Sequence, residues 1–151
     1  MSSFVVRRLT AGDLDAFREL LAVFGLAFNE LDTYTGAQPD SGYLRRLLEG
    51  EQFIALAAVE AGAVIGGLVA YELPKFEQVR SEIYIYDLAV AAAHRRKGVA
   101  TALIEDLKVL GARRGAHVIF VQADPPDLPA VALYTKLGRR EDVLHFDIPV
   151  A

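Results

Sequence analysis

The chain has 151 residues, 53% of them hydrophobic and 24% charged, which is the balance of a folded chain and not of a disordered one. It has no cysteine, which excludes a disulfide scaffold, a thiolate zinc site and a cysteine nucleophile. A net charge of -4 argues against a general nucleic-acid binder, although the charge is uneven, with a basic block at His94-Arg95-Arg96-Lys97 and acids at Glu30, Asp32, Asp40, Glu82, Asp87, Asp124 and Asp127.

The opening Met1-Ser2-Ser3 has neither a charged n-region nor an apolar h-region. No uncharged apolar run approaches the roughly 20 residues that a membrane span needs. The expectation is a soluble cytoplasmic protein with no membrane partner, folded as one domain over residues 1–151.

Phe4 to Leu9 reads as a strand. Thr10 to Asp13 resembles a capping box, and Leu14, Phe17, Leu21, Phe24 and Phe28 then follow a helical stripe. Residues 30–39, with Gly36 and Pro39, read as a loop. Asp40 or Ser41 can cap a short helix through Leu44, Leu47 and Leu48.

Phe53 to Val59 is a continuous apolar run, the mark of a buried strand. A turn at 60–63 joins it to a second strand, Val64 to Leu73, as a hairpin that Pro74 to Arg80 breaks. Ser81 to Val90 is a strand rich in Ile and Tyr. Gly98 to Arg114 is a helix ended by Gly115, and His117 to Ala123 a further strand. Pro129 to Leu137 is a short helix stopped by Gly138, and Val143 to Ile148 is expected to close the fold as a strand. Residues 81–123 form a strand–helix–strand unit whose strands should be parallel or splayed.

Leu88-Ala89-Val90 ends a strand, a loop of small and basic residues follows, and Val99-Ala100-Thr101 starts a helix. Backbone N–H groups at a helix start bind anions, assisted by the helix dipole. Gly98 lets the backbone approach closely, and Arg95, Arg96 and Lys97 add positive charge. The size suits a pyrophosphate, yet neither G-x-x-x-x-G-K-[ST] nor G-x-G-x-x-G is present.

Arg95-x-x-Gly98-x-Ala100 resembles the Q/R-x-x-G-x-G/A signature of the GNAT acetyltransferases, and Ala130-x-x-x-Tyr134-x-x-x-Gly138 resembles a second GNAT motif. The segments 73–90, 94–96, 121–124, 130–138 and 145–148 together look like the gentamicin (aminoglycoside) 3-N-acetyltransferase branch. The resemblance is strongest from residue 71 onward and looser over the first 60 residues. It implies the GNAT fold: an α/β (α+β) architecture with a mixed, mostly antiparallel sheet flanked by helices, and a splayed parallel β4/β5 pair that holds acetyl-CoA.

The resemblance further implies cofactor binding by Leu88, Ala89, Val90, Arg95, Arg96, Lys97, Gly98, Val99, Ala100, Thr101 and Tyr134, with no metal. Tyr134 is expected to protonate the departing thiolate. Where relatives often carry Asn, this chain has Asp127. Asp87, Asp124 and Asp127 are expected to line the site of a cationic acceptor, which acids suit independently of any likeness. Asp87 is the first candidate for general base and Glu82 the second. Strict alternation places Asp87 with Ile83 and Ile85, opposite Glu82, Tyr84 and Tyr86; a bulge before Asp87 would reverse this.

The implied reaction moves the acetyl group from acetyl-CoA to the 3-amino group of an aminoglycoside such as gentamicin in a ternary complex. A polyamine or a protein amine is an alternative acceptor, and a non-catalytic acyl-CoA-binding module an alternative of another class. A homodimer through Val143–Ile148 is a further expectation.

Overall fold

Residues 3–151 are described by a computed structural model. The chain divides into two units, Met1–Val121 and Gln122–Ala151.

The first unit carries β1 (Val5–Arg8), α1 (Leu14–Ala27), α2 (Leu31–Thr35), α3 (Ser41–Glu49), β2 (Phe53–Glu60), β3 (Ala63–Pro74), β4 (Ser81–Val90), α4 (Val99–Arg114) and β5 (Ala116–Val121), with a 3-10 turn at Ala92–His94. The strands form one sheet in the order β1-β2-β3-β4-β5. The first three pairings are antiparallel and β4–β5 is parallel, so the sheet is mixed and mostly antiparallel as expected.

Helices cover both faces of the sheet. On one face α1 buries Phe17, Leu20 and Phe24 in a cluster with Phe53, Ala55, Ala57, Val69 and Ala89. On the other, α4 buries Val99, Leu103 and Leu107, side chains each worth about 1.5–3 kcal/mol when removed from water. Adjacent glycines in β3 admit the two helices. A side chain at Gly66 would meet Val99 at 3.3 Å, and one at Gly67 would meet Leu20 at 2.5 Å.

Three expectations change. Residues 30–39 contain the helix α2, whose five residues are too few to show a helical period in the sequence. Asp13 occupies the N-cap of α1, where its carboxylate accepts from the N–H and hydroxyl of Thr10 instead of capping the helix. Val143–Ile148 does not form a strand. Its apolar side chains stand exposed, Phe146 at 76% and Ile148 at 85%. The residues have strand propensity, but a strand needs a ladder partner, and this segment takes none among the described residues.

The second unit carries α5 (Leu128–Leu137). Asp127 caps it by accepting from the N–H of Ala130 at 3.3 Å, and Pro129 sits in its first turn.

Candidate active site

The site begins with an irregularity in β4. Its register against β3 runs Tyr71↔Tyr84 and Ala70↔Ile85, then jumps to Val69↔Asp87 and Leu68↔Leu88. Tyr86 is the extra residue of a β-bulge. Directly paired residues share a face, so Asp87 lies with Val69, Tyr71 and Tyr84, on the α1 side. Ile83 and Ile85 belong to the α4 face, where Ile83 meets Gly111. The bulge therefore gives the reversed relation: Asp87 shares a face with Glu82 and Tyr84, not with the isoleucines.

Asp87 is half-buried and accepts a hydrogen bond from the hydroxyl of Tyr34 through Oδ2 at 2.7 Å. Burial pushes its carboxyl above the ordinary carboxylate range, Tyr34 pulls it down and the charge of Glu30 pushes it up. The Tyr34 phenol is raised by burial and by this same carboxylate. A half-buried carboxylate with a raised pKa is a better proton acceptor than a free one. Beside it, Tyr71 packs edge-on against Tyr86, and Tyr86 packs edge-on against Tyr84. Tyr84 stacks on Phe120 at 4.7 Å.

Glu82 is engaged elsewhere. It pairs with Lys75 at 3.5 Å and with His117 at 3.1 Å. It stands five positions back along β4, roughly 15 Å from Asp87 at about 3.3 Å per residue.

Parallel pairing of β4 with β5 ends at Ile85↔Val121, while β4 runs on to Val90. Residues 86–90, including Leu88, Ala89 and Val90, thus extend past the last β5 pairing. The chain then passes through the 3-10 turn into a loop in which Arg96 and Gly98 are both left-handed, at φ 63° and 79°. For arginine this conformation is strained, and such strain concentrates at ligand-binding loops. Gly98 is the N-cap of α4 and offers no side chain to the helix start, so the first N–H groups of Val99, Ala100 and Thr101 have no side-chain cap, and a side chain on Gly98 would meet nothing within 4 Å. Arg95 donates from Nε to the carbonyl of Val90 at 3.3 Å, tying the loop to the strand end. Arg96 and Lys97 are exposed, and Glu60 lies 3.3 Å from His94 on the neighbouring turn. An open helix start beside two exposed cations fits a pyrophosphate such as that of acetyl-CoA.

In the second unit Tyr134 lies on α5, and burial together with the charge of Asp127 pushes its phenol up to about 12. It stays protonated at neutral pH. Asp124 precedes α5, and its carbonyl accepts from the N–H of Asp127 at 2.9 Å.

Two residues that the sequence reading gave no site role lie beside Asp87: Tyr34 as its hydrogen-bond partner, and Glu30, one of the acids noted there, as its charged neighbour. Their segment reads as a loop in sequence, and Tyr34 lies 53 positions from Asp87. The faint signal was the spacing of Leu31 and Tyr34 behind Phe24 and Phe28.

The acetyltransferase (GNAT) family matches residues 17–138. The chain belongs to the GNAT acetyltransferase family, and its mixed five-stranded sheet with a parallel β4–β5 pair is the GNAT fold. Among solved structures it is similar to an aminoglycoside acetyltransferase from an uncultured soil metagenomic sample, 64% identical, covering 99% of this chain and 100% of that one at a TM-score of 0.98. A second soil metagenomic aminoglycoside acetyltransferase, solved in complex with sisomicin, is 29% identical over 99% of this chain and 97% of that one at a TM-score of 0.91. An N-alpha-acetyltransferase of Saccharolobus solfataricus is 31% identical over 86 residues, 50% of this chain and 52% of that relative, so the match spans about half of the relative's length.

Proposed function

We propose that this protein transfers the acetyl group of acetyl-CoA to an amino group of an aminoglycoside, with the 3-amino group of a gentamicin-type antibiotic as the particular target. The observation that carries the reading is the half-buried Asp87 carboxylate, turned by a bulge to lie beside Glu30 and Tyr34 on a strand that runs on into an anion-binding loop. Likeness to the soil aminoglycoside acetyltransferase supports the substrate class.

Acetyl-CoA supplies an activated acetyl thioester when bound. The N–H groups of Val99, Ala100 and Thr101, the open Gly98 and the charges of Arg96 and Lys97 hold its pyrophosphate, with Arg95 bracing the loop. The extension of β4 over Leu88, Ala89 and Val90 offers backbone N–H groups to negative charge developing on the acetyl oxygen. Asp87 binds the acceptor's ammonium and takes the proton that must leave before nitrogen can attack, directly or through water. The same negative charge raises the pKa of the bound ammonium, so Asp87 favours binding and opposes deprotonation; its own raised pKa eases the second task. Glu82, held by Lys75 and His117, is the second candidate for base.

Tyr134 is the proton donor at the departing sulfur. At a pKa of about 12 the phenol is a weaker acid than a simple thiol, near about 8.5, so it acts first as a hydrogen-bond donor to the thiolate. Asp124 and Asp127 contribute negative charge to acceptor binding. The 151 residues act as one GNAT domain, cytoplasmic, with no metal and with no nucleic acid or membrane partner. In a homodimer Val143–Ile148 would gain a strand partner that it does not take among the described residues of one chain.

The test is CoA release with gentamicin, sisomicin, kanamycin, spermidine or no acceptor. Turnover on gentamicin with product acetylated at the 3-amino group, lost in Asp87→Asn, is the expected result. Turnover that survives Asp87→Asn moves the base to Glu82 or water. A protein amine is the second reading, favoured by the N-alpha-acetyltransferase likeness, and turnover confined to a peptide would select it.

A further inference from the structure

The device that holds Tyr34 is built from several directions. α2 has five residues, too few to be stable alone. Its entry is pinned by the N–H of Glu30 donating to the carbonyl of Gly25 at 2.8 Å. Gly25 leaves α2 in close contact with α1: a side chain there would meet Leu31 at 3.0 Å and Tyr34 at 3.3 Å. The Tyr34 ring packs against Phe24 and Phe28, each at 5.9 Å. Its carbonyl accepts from Nε2 of Gln38 at 3.2 Å, and Oε1 of Gln38 accepts from Arg18 of α1 at 2.9 Å.

All of this delivers one hydroxyl to one carboxylate oxygen. Half-burying a carboxylate near a second acid costs stability, and a single neutral donor returns only part of it. A neutral acceptor such as Asn could also hold the Tyr34 hydroxyl without a half-buried charge, so the carboxylate here points to use. Oδ2 is occupied by Tyr34, while Oδ1 takes no hydrogen bond among the described residues.

We propose that Tyr34 is a positioning residue for acetyl transfer: its hydroxyl clamps Oδ2 of Asp87 so that Oδ1 is the oxygen presented to the acceptor's amino group. The role rests on the amine-acceptor reading above. Tyr34 touches neither acceptor nor acetyl group; it acts through Asp87. The titratable groups about Asp87 are Glu30 and Tyr34 from α2 and its N-cap, Tyr71 from β3, and Tyr84 and Tyr86 from β4. Tyr34, Tyr71 and Tyr84 are raised above the ordinary phenol value and stay neutral where Asp87 titrates, so Tyr34 and Glu30 act on it with opposite effects. The donor favours the ionised form and the neighbouring anion disfavours it.

The experiment is the pH dependence of kcat/KM for gentamicin in wild type, Tyr34→Phe and Glu30→Gln, with melting temperatures. Tyr34→Phe keeps the ring and loses the donor. Its acidic limb should move to higher pH, kcat should fall about 10- to 100-fold, as for loss of a hydrogen bond to a charged group, and the KM for acetyl-CoA should stay unchanged. Glu30→Gln should move the limb to lower pH. If Tyr34→Phe melts early, Gln38→Ala, which frees the Tyr34 carbonyl, should give the same upward displacement in smaller measure. Wild-type turnover with limb and rate unmoved in Tyr34→Phe would overturn the positioning role alone. No wild-type turnover on any amine would overturn the acceptor reading and this role with it.

Discussion

Gly25→Ala tests the geometry around Asp87 from a distance. The added methyl would stand 3.0 Å from Cα of Leu31, 3.2 Å from its Cδ1 and 3.3 Å from Cβ of Tyr34. Carbon contacts relax to about 3.5–4.0 Å, so α2 must move outward by roughly 0.5–1 Å. The Leu31 Cα is backbone and cannot rotate aside. A shift of that size takes the Tyr34–Asp87 bond from 2.7 Å past the about 3.0 Å upper range for O–H···O. Losing a hydrogen bond to a charged group costs about 1.5–3 kcal/mol, or roughly 10- to 100-fold in rate if all of it falls on the transition state. Stability should fall as well. Alanine gains about 1 kcal/mol of helix propensity over glycine, against about 1–3 kcal/mol of overpacking. These two effects net about 0–2 kcal/mol, up to about 8 °C in melting temperature, and the lost hydrogen bond adds to that. Melting curves and CoA-release kinetics on the same preparation decide the matter. A melting temperature that falls while kcat stays at the wild-type value would refute the coupling of α2 to Asp87.

Asp127 both caps α5 and is assigned to the acceptor, and two substitutions separate the roles. Asn caps as well as Asp, so Asp127→Asn should leave the melting temperature unchanged and raise the KM for aminoglycoside several-fold, whereas Asp127→Ala should also cost about 1 kcal/mol of stability. A normal KM in Asp127→Asn would reduce Asp127 to a cap. Gly98→Ala forces a Cβ into a left-handed position with no clashing neighbour. It should cost about 1–2 kcal/mol in backbone strain and, measured by calorimetric titration, weaken CoA binding further than Gly98→Asn, since Asn tolerates that conformation.

Most of the sheet was legible in sequence because its strands are long and apolar and its breaks are marked by Gly and Pro. The loop proposed to hold the anion lies within one short stretch, so its strand end, turn and helix start could be read from spacing alone. Tyr34 was hidden because its function lies in a contact across 53 residues, and its helix is shorter than two turns. The C-terminal segment shows the opposite failure. Val143 to Ile148 has the residues of a strand, but propensity describes a preference, while a ladder requires an edge to pair with. The bulge lay between these cases. The alternation of β4 made the question visible, and only the observed register against β3 answers it.

That one extra residue also inverts the parity of β4. Before it, odd positions such as Ile83 and Ile85 face the α4 side and are buried, while the even positions Glu82 and Tyr84 face the other side. After it, Asp87 brings an odd number to that other side. A saturation scan of this strand would record a change of phase between 85 and 87, with Tyr86 and Asp87 as consecutive positions under the same selection. An ordinary strand can offer a ligand only every second residue. Here a phenol and a carboxylate adjacent in the chain stand side by side, and a single inserted or deleted codon would be enough to separate them.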